Sequence, residues 1–541
     1  MKKVIAHELA KAQRAISVAE FFEKNRHLLG FDNKRKALLT VVKEAVDNAL
    51  DACEEAKILP ELKVELTELA EDRYRVVVED NGPGIVPEQI PNIFGKLLYG
   101  SKFHRLRQAR GQQGIGISAA VLYSQLTTGK PARILSKISP KADSWALEIM
   151  IDVQRNEPKI VSERRVVWQR PHGTRIELEV EGNYQKGSQS ADEYLKETAI
   201  VNPHATIIYL TPKAEQLVFA RSTSNLPKEP KEIKPHPYGI ELGTLLKLAA
   251  TTKARTLSAF LCGDFCRIGP GTAREICAKA GLSPKSKPGG LGSITGERLL
   301  RAISQTKIVA PPTDCISPIG SELLERGLKK EIAAEFYTST TRAPTVYRGM
   351  PFAIEAALAY GGKLPSDRQI TLLRFANRVP LLYQAGACAI TKAVASTNWR
   401  SYGLSQSEGS LPVGPVVLAV HMASVWVPFT SEAKEAIAHY PEILHEVKLA
   451  VQECGRALAS FVNKKRRVSS ELQKKSYIER YLPHISGALA ELLVLSQKER
   501  SRVESALKAI LERSRKVEKL EVEKIDRSDA LGLEVGNGSE E

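Results

Sequence analysis

Three glycines fall within the eight residues Arg110-Gly111-Gln112-Gln113-Gly114-Ile115-Gly116-Ile117, directly ahead of the apolar segment Ser118 to Ser124. Glycines in front of a helix leave a row of bare backbone N–H groups, and the helix N-terminus adds its own, so the segment predicts a cradle for phosphate. No Gly-Lys-Ser/Thr closes it, which excludes the Walker pattern. No strand directly precedes it and the order of elements is wrong, which excludes a Rossmann fingerprint. A nucleotide fold of another kind, or a plain loop, is left.

Two further motifs stand upstream within 75 residues. From Asn33 to Ala56, apolar residues at Leu38, Val41, Val42, Ala45, Val46, Ala49 and Leu50 have helical spacing. On that helix Glu44 and Asn48 are four apart and share a face. A carboxylate beside an amide can divide two tasks: the amide oxygen suits Mg²⁺, and the carboxylate can orient and deprotonate a water. On its own such a pair equally describes a solvated face. Tyr74 to Glu79 then reads as a strand running into Asp80-Asn81-Gly82-Pro83-Gly84-Ile85. Its glycines permit positive φ and close approach to a ligand, and Asp80 can accept a hydrogen bond from an exocyclic amine such as that of adenine. A bare Asn-Gly turn is the alternative.

Taken in order, these three motifs resemble the ATPase superfamily of gyrase, Hsp90, histidine kinases and MutL, and His172-Gly173-Thr174-Arg175 supplies a matching fourth element. The superfamily implies a Bergerat-type α/β sandwich with a mobile lid, here from about Phe94 to Ser118. The wording is closer to one family. Phe94-Gly95-Lys96-Leu97-Leu98-Tyr99-Gly100-Ser101-Lys102-Phe103, the glycine motif, Leu373 to Tyr383 and Val427 to Ile437 resemble the B subunit of DNA topoisomerase VI over roughly residues 5–470.

That resemblance implies a multidomain α/β chain: a Bergerat-type ATPase domain over 1–227, a helical helix–two-turn–helix domain over 228–308, an α/β transducer domain over 309–470, and a helical tail over 471–541 ending in an acidic, disordered segment. An additional immunoglobulin-like domain is expected to be absent. The resemblance further implies ATP and Mg²⁺ as cofactors. Glu44 would polarise the attacking water, and Asn48 would hold Mg²⁺. Asp80 would bind the adenine amine with Gly84 close to the base. Ser101 and Lys102 would contact the nucleotide from the lid, and Arg110, Gly111, Gln112, Gln113, Gly114, Ile115, Gly116 and Ile117 would wrap the triphosphate. Thr174 would lie beneath the nucleotide, and Lys434 would reach the γ-phosphate from the transducer. The partners implied are double-stranded DNA, a second copy on ATP binding, and the A subunit that carries the cleaving tyrosine, in a heterotetramer of two A and two B subunits. Strand passage with relaxation and decatenation is the implied activity.

Composition agrees. The net charge is +16, which favours a polyanionic partner. From Lys228 to Lys307 there are 14 Lys/Arg against 6 Asp/Glu, so half of the excess lies in the expected helical domain. Leu242–Thr251, Gly271–Ala280 and Gly296–Ser304 carry helical patterns there, after a linker over 225–237 with four prolines. Beyond Pro311-Pro312 the pattern predicts strands over Ala343–Ala359 and Pro415–Val427, a helix over Gln384–Ser396, and a helix from Pro441 to Phe461. Seven scattered cysteines without a CxxC pair predict free, buried thiols and argue against structural zinc. No apolar run reaches the roughly 18 residues of a membrane span, and the N-terminus has no secretory pattern, so the expected location is cytoplasmic and nucleoid-associated. Two alternatives are a Bergerat-fold ATPase of MutL-like type used as a DNA-binding module, and a DNA-binding module with a vestigial nucleotide fold. The presence of both Glu44 and Asn48 argues against the vestigial reading.

Overall fold

A computed structural model of the protein describes residues 13–102, 105–111 and 114–510. Two compact units divide between Ala459 and Ser460. In the first, helix α1 (Val18–Lys24) leads to α2 (Lys34–Glu55). Asn33 caps α2, its side chain accepting from the Lys36 N–H at 2.9 Å. All seven apolar positions predicted for this helix are buried. They pack on a sheet of eight strands: β1 (Glu61–Ala70), β2 (Arg73–Glu79), β3 (Ala132–Lys137), β4 (Ser144–Asp152), β5 (Glu157–Val166), β6 (Gly173–Glu181), β7 (Thr206–Leu210) and β8 (Gln216–Phe219). Their order is β5-β4-β3-β6-β2-β1-β7-β8, and β1–β7 is the parallel pair.

The sheet is apolar on one face only. Leu62, Val64 and Leu66 of β1 and Ile176, Leu178 and Val180 of β6 alternate inward. Outward positions form charged cross-strand pairs such as Arg73–Glu179 and Arg133–Glu177. Helices α3 (Ile90–Gly95), α4 (Gly116–Thr128) and α5 (Ala191–Val201) join α2 over the apolar face.

Four helices follow the proline-bearing linker: α6 (Leu242–Thr251), α7 (Leu257–Asp264), α8 (Pro270–Ala280) and α9 (Ser293–Ser304). They enclose a core of their own around Leu245, Phe260, Ile276 and Leu299.

Helix α10 (Ser321–Glu331) opens the next region, with β9 (Phe336–Thr341), β10 (Thr345–Tyr347), β11 (Met350–Tyr360), β12 (Thr371–Ala376), β13 (Val379–Pro380), α11 (Ala389–Ala395) and β14 (Val416–Ser424). The expected strand over Ala343–Ala359 is broken, because Arg348 and Gly349 have positive φ (44° and 74°) and reverse the chain between β10 and β11. Gln384, at φ 50°, likewise delays the predicted helix until Ala389. Strands β11 and β14 are buried on both faces, so they read as continuous apolar runs. Ile200 and Val201 at the end of α5 belong to the same core as Leu324, Ala357 and Phe375.

The helix predicted over Pro441–Phe461, running on to the basic cluster and the helical tail expected after it, is one continuous helix, α12 (Pro441–Leu492). In the second unit a further helix covers 497–510. The acidic segment over 532–541 lies outside the described residues. All seven cysteines are free, five of them buried, and no cluster of metal-ligating side chains occurs among the described residues.

Candidate active site

The polar face of α2 projects Thr40, Glu44, Asn48 and Asp51 toward a cavity of about 580 Å³. Asp80, Gly84 and Ile85 line it from the segment after β2, and Thr174 and Ile176 from β6. Tyr99, Gly100, Ser101 and Lys102 line another side, as do Gly111 and Gly114 to Ile117. Glu432, Ala433 and Lys434 line it from the loop before α12, more than 300 residues later in the chain.

Asp80 is anchored by the backbone around it. Its Oδ1 accepts from the N–H of Gly82 at 2.8 Å and of Thr174 at 3.1 Å, leaving Oδ2 for a ligand. Burial raises its pKa to about 6, against the pull of those two N–H groups. Gly84 has φ 72°, and a Cβ there would lie 2.1 Å from the Lys137 carbonyl oxygen, so no side chain fits.

Helix α4 begins at Gly116 without a side-chain cap, so its first N–H groups are left for a ligand. A Cβ on Gly116 would lie 1.7 Å from Glu44 Oε2. The missing side chain therefore lets the Glu44 carboxylate sit against the start of α4. The glycine-rich motif and the helix motif meet here, which brings an acceptor oxygen beside the uncapped start of α4.

Lys434 enters from a loop whose neck is the bridge between Phe429 and Ile437. Its ammonium donates to the Arg110 carbonyl at 2.9 Å. Glu435, beside it, pairs with Lys36 of α2 at 2.5 Å. The loop is thus seated on the first domain.

Arg110 itself departs from expectation. Its side chain is 4% exposed and does not line the cavity. The guanidinium lies 2.7 Å from Asp51, 2.6 and 2.8 Å from the two oxygens of Glu54, and 2.6 Å from Asn202 Oδ1. With its charge neutralised by two carboxylates, it is not free to wrap a triphosphate; its carbonyl, not its side chain, faces Lys434. Burial pushes Glu54 up, but Arg110 and His204 outweigh it and hold the carboxyl well below the ordinary range. Lys102 pairs with the remaining oxygen of Asp51 at 2.7 Å.

Part of the segment expected to form a mobile lid is tied down. Gln108 exchanges hydrogen bonds with Ser317 through both ends of its amide, and its N–H donates to Cys315 at 2.9 Å. Leu106 accepts from Ile233 in the linker. Asn377 donates to the Ala109 carbonyl at 3.0 Å, and the Arg378 carbonyl accepts from Asn202 at 3.3 Å. Residues 105–110 are therefore sewn to the rest of the unit, which the expected lid from Phe94 to Ser118 did not allow for. Gln112 and Gln113 lie outside the described residues. Of the other expected residues, Glu44, Asn48, Asp80, Gly84, Ser101, Lys102, Gly111, Gly114, Ile115, Gly116, Ile117, Thr174 and Lys434 line the one cavity. Asp51 was missed, although it continues the Glu44–Asn48 face at helical spacing.

A family model described as "Topoisomerase VI B subunit, transducer" matches residues 311–475, and one described as "Histidine kinase-, DNA gyrase B-, and HSP90-like ATPase" matches residues 33–181. The chain is 53% identical over 494 residues to the B subunit of type 2 DNA topoisomerase 6 from Methanosarcina mazei, covering 91% of this chain and 80% of that protein. It is 50% identical to the protein of that name from Archaeoglobus fulgidus, covering 93% and 84%. With the Pyrococcus horikoshii protein of that name the identity is 37%, covering 97% and 100%.

Removing the Arg110 guanidinium leaves two buried carboxylates without their shared cation. Arg110→Met is expected to cost about 3–5 kcal/mol of stability, the usual penalty for orphaning a buried ion pair, measured by denaturant unfolding. Unchanged stability together with weaker nucleotide binding would instead make Arg110 a phosphate ligand.

Proposed function

Because this chain belongs to the family of DNA topoisomerase VI B subunits, the ATPase subunits of type IIB topoisomerases, we propose that the cavity between α2 and the start of α4 binds and hydrolyses ATP. We further propose that it does so to drive closure of a dimeric clamp on duplex DNA. The carrying observation is the convergence of Glu44, the uncapped start of α4 and Lys434 on one cavity. Glu44 orients and deprotonates the attacking water. The N–H groups from Gly114 onward and the Lys434 ammonium take up the charge that gathers on the terminal phosphate. Asp80 Oδ2 accepts from the exocyclic amine of adenine, with Thr174 and Gly84 beneath the base. Lys102 must leave Asp51 to reach a phosphate, and Ser101 accompanies it.

An Mg²⁺ ion fits the donors at hand. Asn48 is exposed to the cavity, and its amide oxygen is the hard ligand such an ion takes alongside phosphate oxygens. When bound, the ion would neutralise phosphate charge.

As a member of this family the chain works in a topoisomerase complex on DNA. In our reading the complex is a heterotetramer with two A subunits, which make the double-strand break, and two B subunits, which dimerise on ATP. The result is relaxation and decatenation. The domain limits that fit this reading are 1–227, 228–308, 309–470 and 471–541, with the +8 helical domain as a DNA-facing element. Among the described residues no helix is long and apolar enough to cross a membrane.

The test is reconstitution with an A-type partner. Supercoiled DNA should relax only when ATP and both proteins are present, and relaxation without this chain would reject the assignment. Glu44→Gln should keep nucleotide binding while hydrolysis falls about 10²–10⁴-fold, read from steady-state turnover beside a binding isotherm.

Asp80 predicts a pH dependence. Its folded pKa, about 6, is raised above the ordinary 3.8. Its contribution to stability is therefore full below about 4 and lost as pH rises through 6. Nucleotide affinity moves the other way, since only the carboxylate accepts at both oxygens. Binding of an ATP analogue should weaken as pH drops from 7 through 6, and Asp80→Asn should flatten that profile.

A further inference from the structure

Lys43 stands beside Glu44 on α2, but its side chain does not line the cavity. Its half-buried ammonium donates to the carbonyl oxygen of Ala433 at 3.1 Å. Burial lowers its pKa, while Glu44, Asp47 and Glu435 pull it up and Lys434 pushes it down. A cation set against a backbone carbonyl, one residue before Lys434, calls for a reason.

The reason lies in the peptide plane. The oxygen of Ala433 and the N–H of Lys434 belong to one rigid planar unit. Lys43 holds the oxygen end, and Ser431 accepts from the N–H end at 3.1 Å. With both ends tied, the Cα of Lys434 has a fixed place. Its φ is 53°, in the left-handed region that a residue with a Cβ adopts only at a cost. On the far side Glu435 is held by Lys36 and by the Gln384 amide. The loop tip is thus gripped before and after Lys434, and the lysine between is aimed at the Arg110 carbonyl.

We propose that Lys43 is a positioning residue for hydrolysis: by holding the Ala433 carbonyl it sets the peptide plane from which Lys434 projects toward the phosphate end of the cavity. The proposal rests on the reading of Lys434 as a γ-phosphate contact. Because Lys43 bonds to backbone, its grip is the same whatever side chain occupies position 433. It also ties α2, which carries the water-orienting carboxylate, to the loop that carries the phosphate-sensing ammonium. The two groups then move as one.

A double-mutant cycle on the full chain tests this, with kcat and KM for ATP measured for wild type, Lys43→Met, Lys434→Ala and the double variant. Lys43→Met is expected to lower kcat about tenfold to a hundredfold, the worth of one charge-assisted hydrogen bond, with KM changed by less than about threefold. In the Lys434→Ala background the same change should add nothing, because the residue it positions is gone. Lys43→Arg, which keeps a charged donor, should recover most of the loss. If Lys43→Met multiplies the Lys434→Ala defect by its full wild-type factor, Lys43 acts on its own and the proposal is wrong. If Lys434→Ala hydrolyses ATP like wild type, the γ-phosphate reading fails and the positioning role falls with it. Should Lys43→Met fail to fold, Lys43→Gln is carried through the same cycle with the same two outcomes.

Discussion

The Arg110 guanidinium is the point from which the arrangement of the first unit follows. It joins Asp51 and Glu54 on α2 to Asn202 just past α5, and Asn202 in turn donates to the Arg378 carbonyl. Four segments distant in sequence meet within one buried, charge-balanced cluster. Burying ions is costly unless each is paired and hydrogen-bonded, so the cluster tolerates one arrangement and penalises others steeply. The segment ahead of the glycine-rich motif is fixed by that arrangement, and with it the place of Gly114 to Gly116 beside Glu44.

The same cluster reaches into the second sheet. Asn377 and Arg378 form the two-residue turn between β12 and β13, both at positive φ, 48° and 65°. The Arg378 N–H donates to His421 Nε2 at 3.0 Å, and His421 Nδ1 donates to Glu355 at 2.7 Å. Burial lowers the pKa of His421, which matches a neutral ring with its proton on Nδ1. Glu355 is satisfied further by the N–H groups of Ile319 and Gly320. An unbroken run of hydrogen bonds thus extends from the cavity wall at Lys102 and Asp51 to the interior of β11 and β14. Were Lys102 to exchange Asp51 for a phosphate, one end of this run would change its charge. That is the differential interaction a nucleotide needs to shift a conformational equilibrium.

A second connection is made by the loop tip at Ala433 to Glu435, which bonds to Lys43 and Lys36 of α2 and, through Lys434, to the Arg110 carbonyl. Both attachments involve Arg110, one through its guanidinium and one through its carbonyl. A cavity closed by two domains answers to its contents differently from one closed by a flexible lid. Opening it would require breaking those tertiary contacts.

Much of this was legible in the residues alone. The 3.6-residue period of Leu38 to Leu50 settled the buried face of α2, and therefore the opposite face that carries Glu44 and Asn48. The glycines at 84, 114 and 116 marked where backbone must come close to something else, and helix limits such as Leu242–Thr251 followed from local pattern. These are properties that neighbours within a few residues decide. What a guanidinium pairs with is not. Nothing local distinguishes an Arg110 that grips phosphate from one that neutralises Asp51 and Glu54, because both need the same charge in the same exposed-looking, glycine-rich context. Nor does Lys43 announce a bond to a carbonyl 390 residues away. Local periodicity determined which surfaces are apolar and which carry the chemistry; tertiary structure decided which charges meet, because the cost of burying an ion is settled only by what the fold brings within about 3 Å of it.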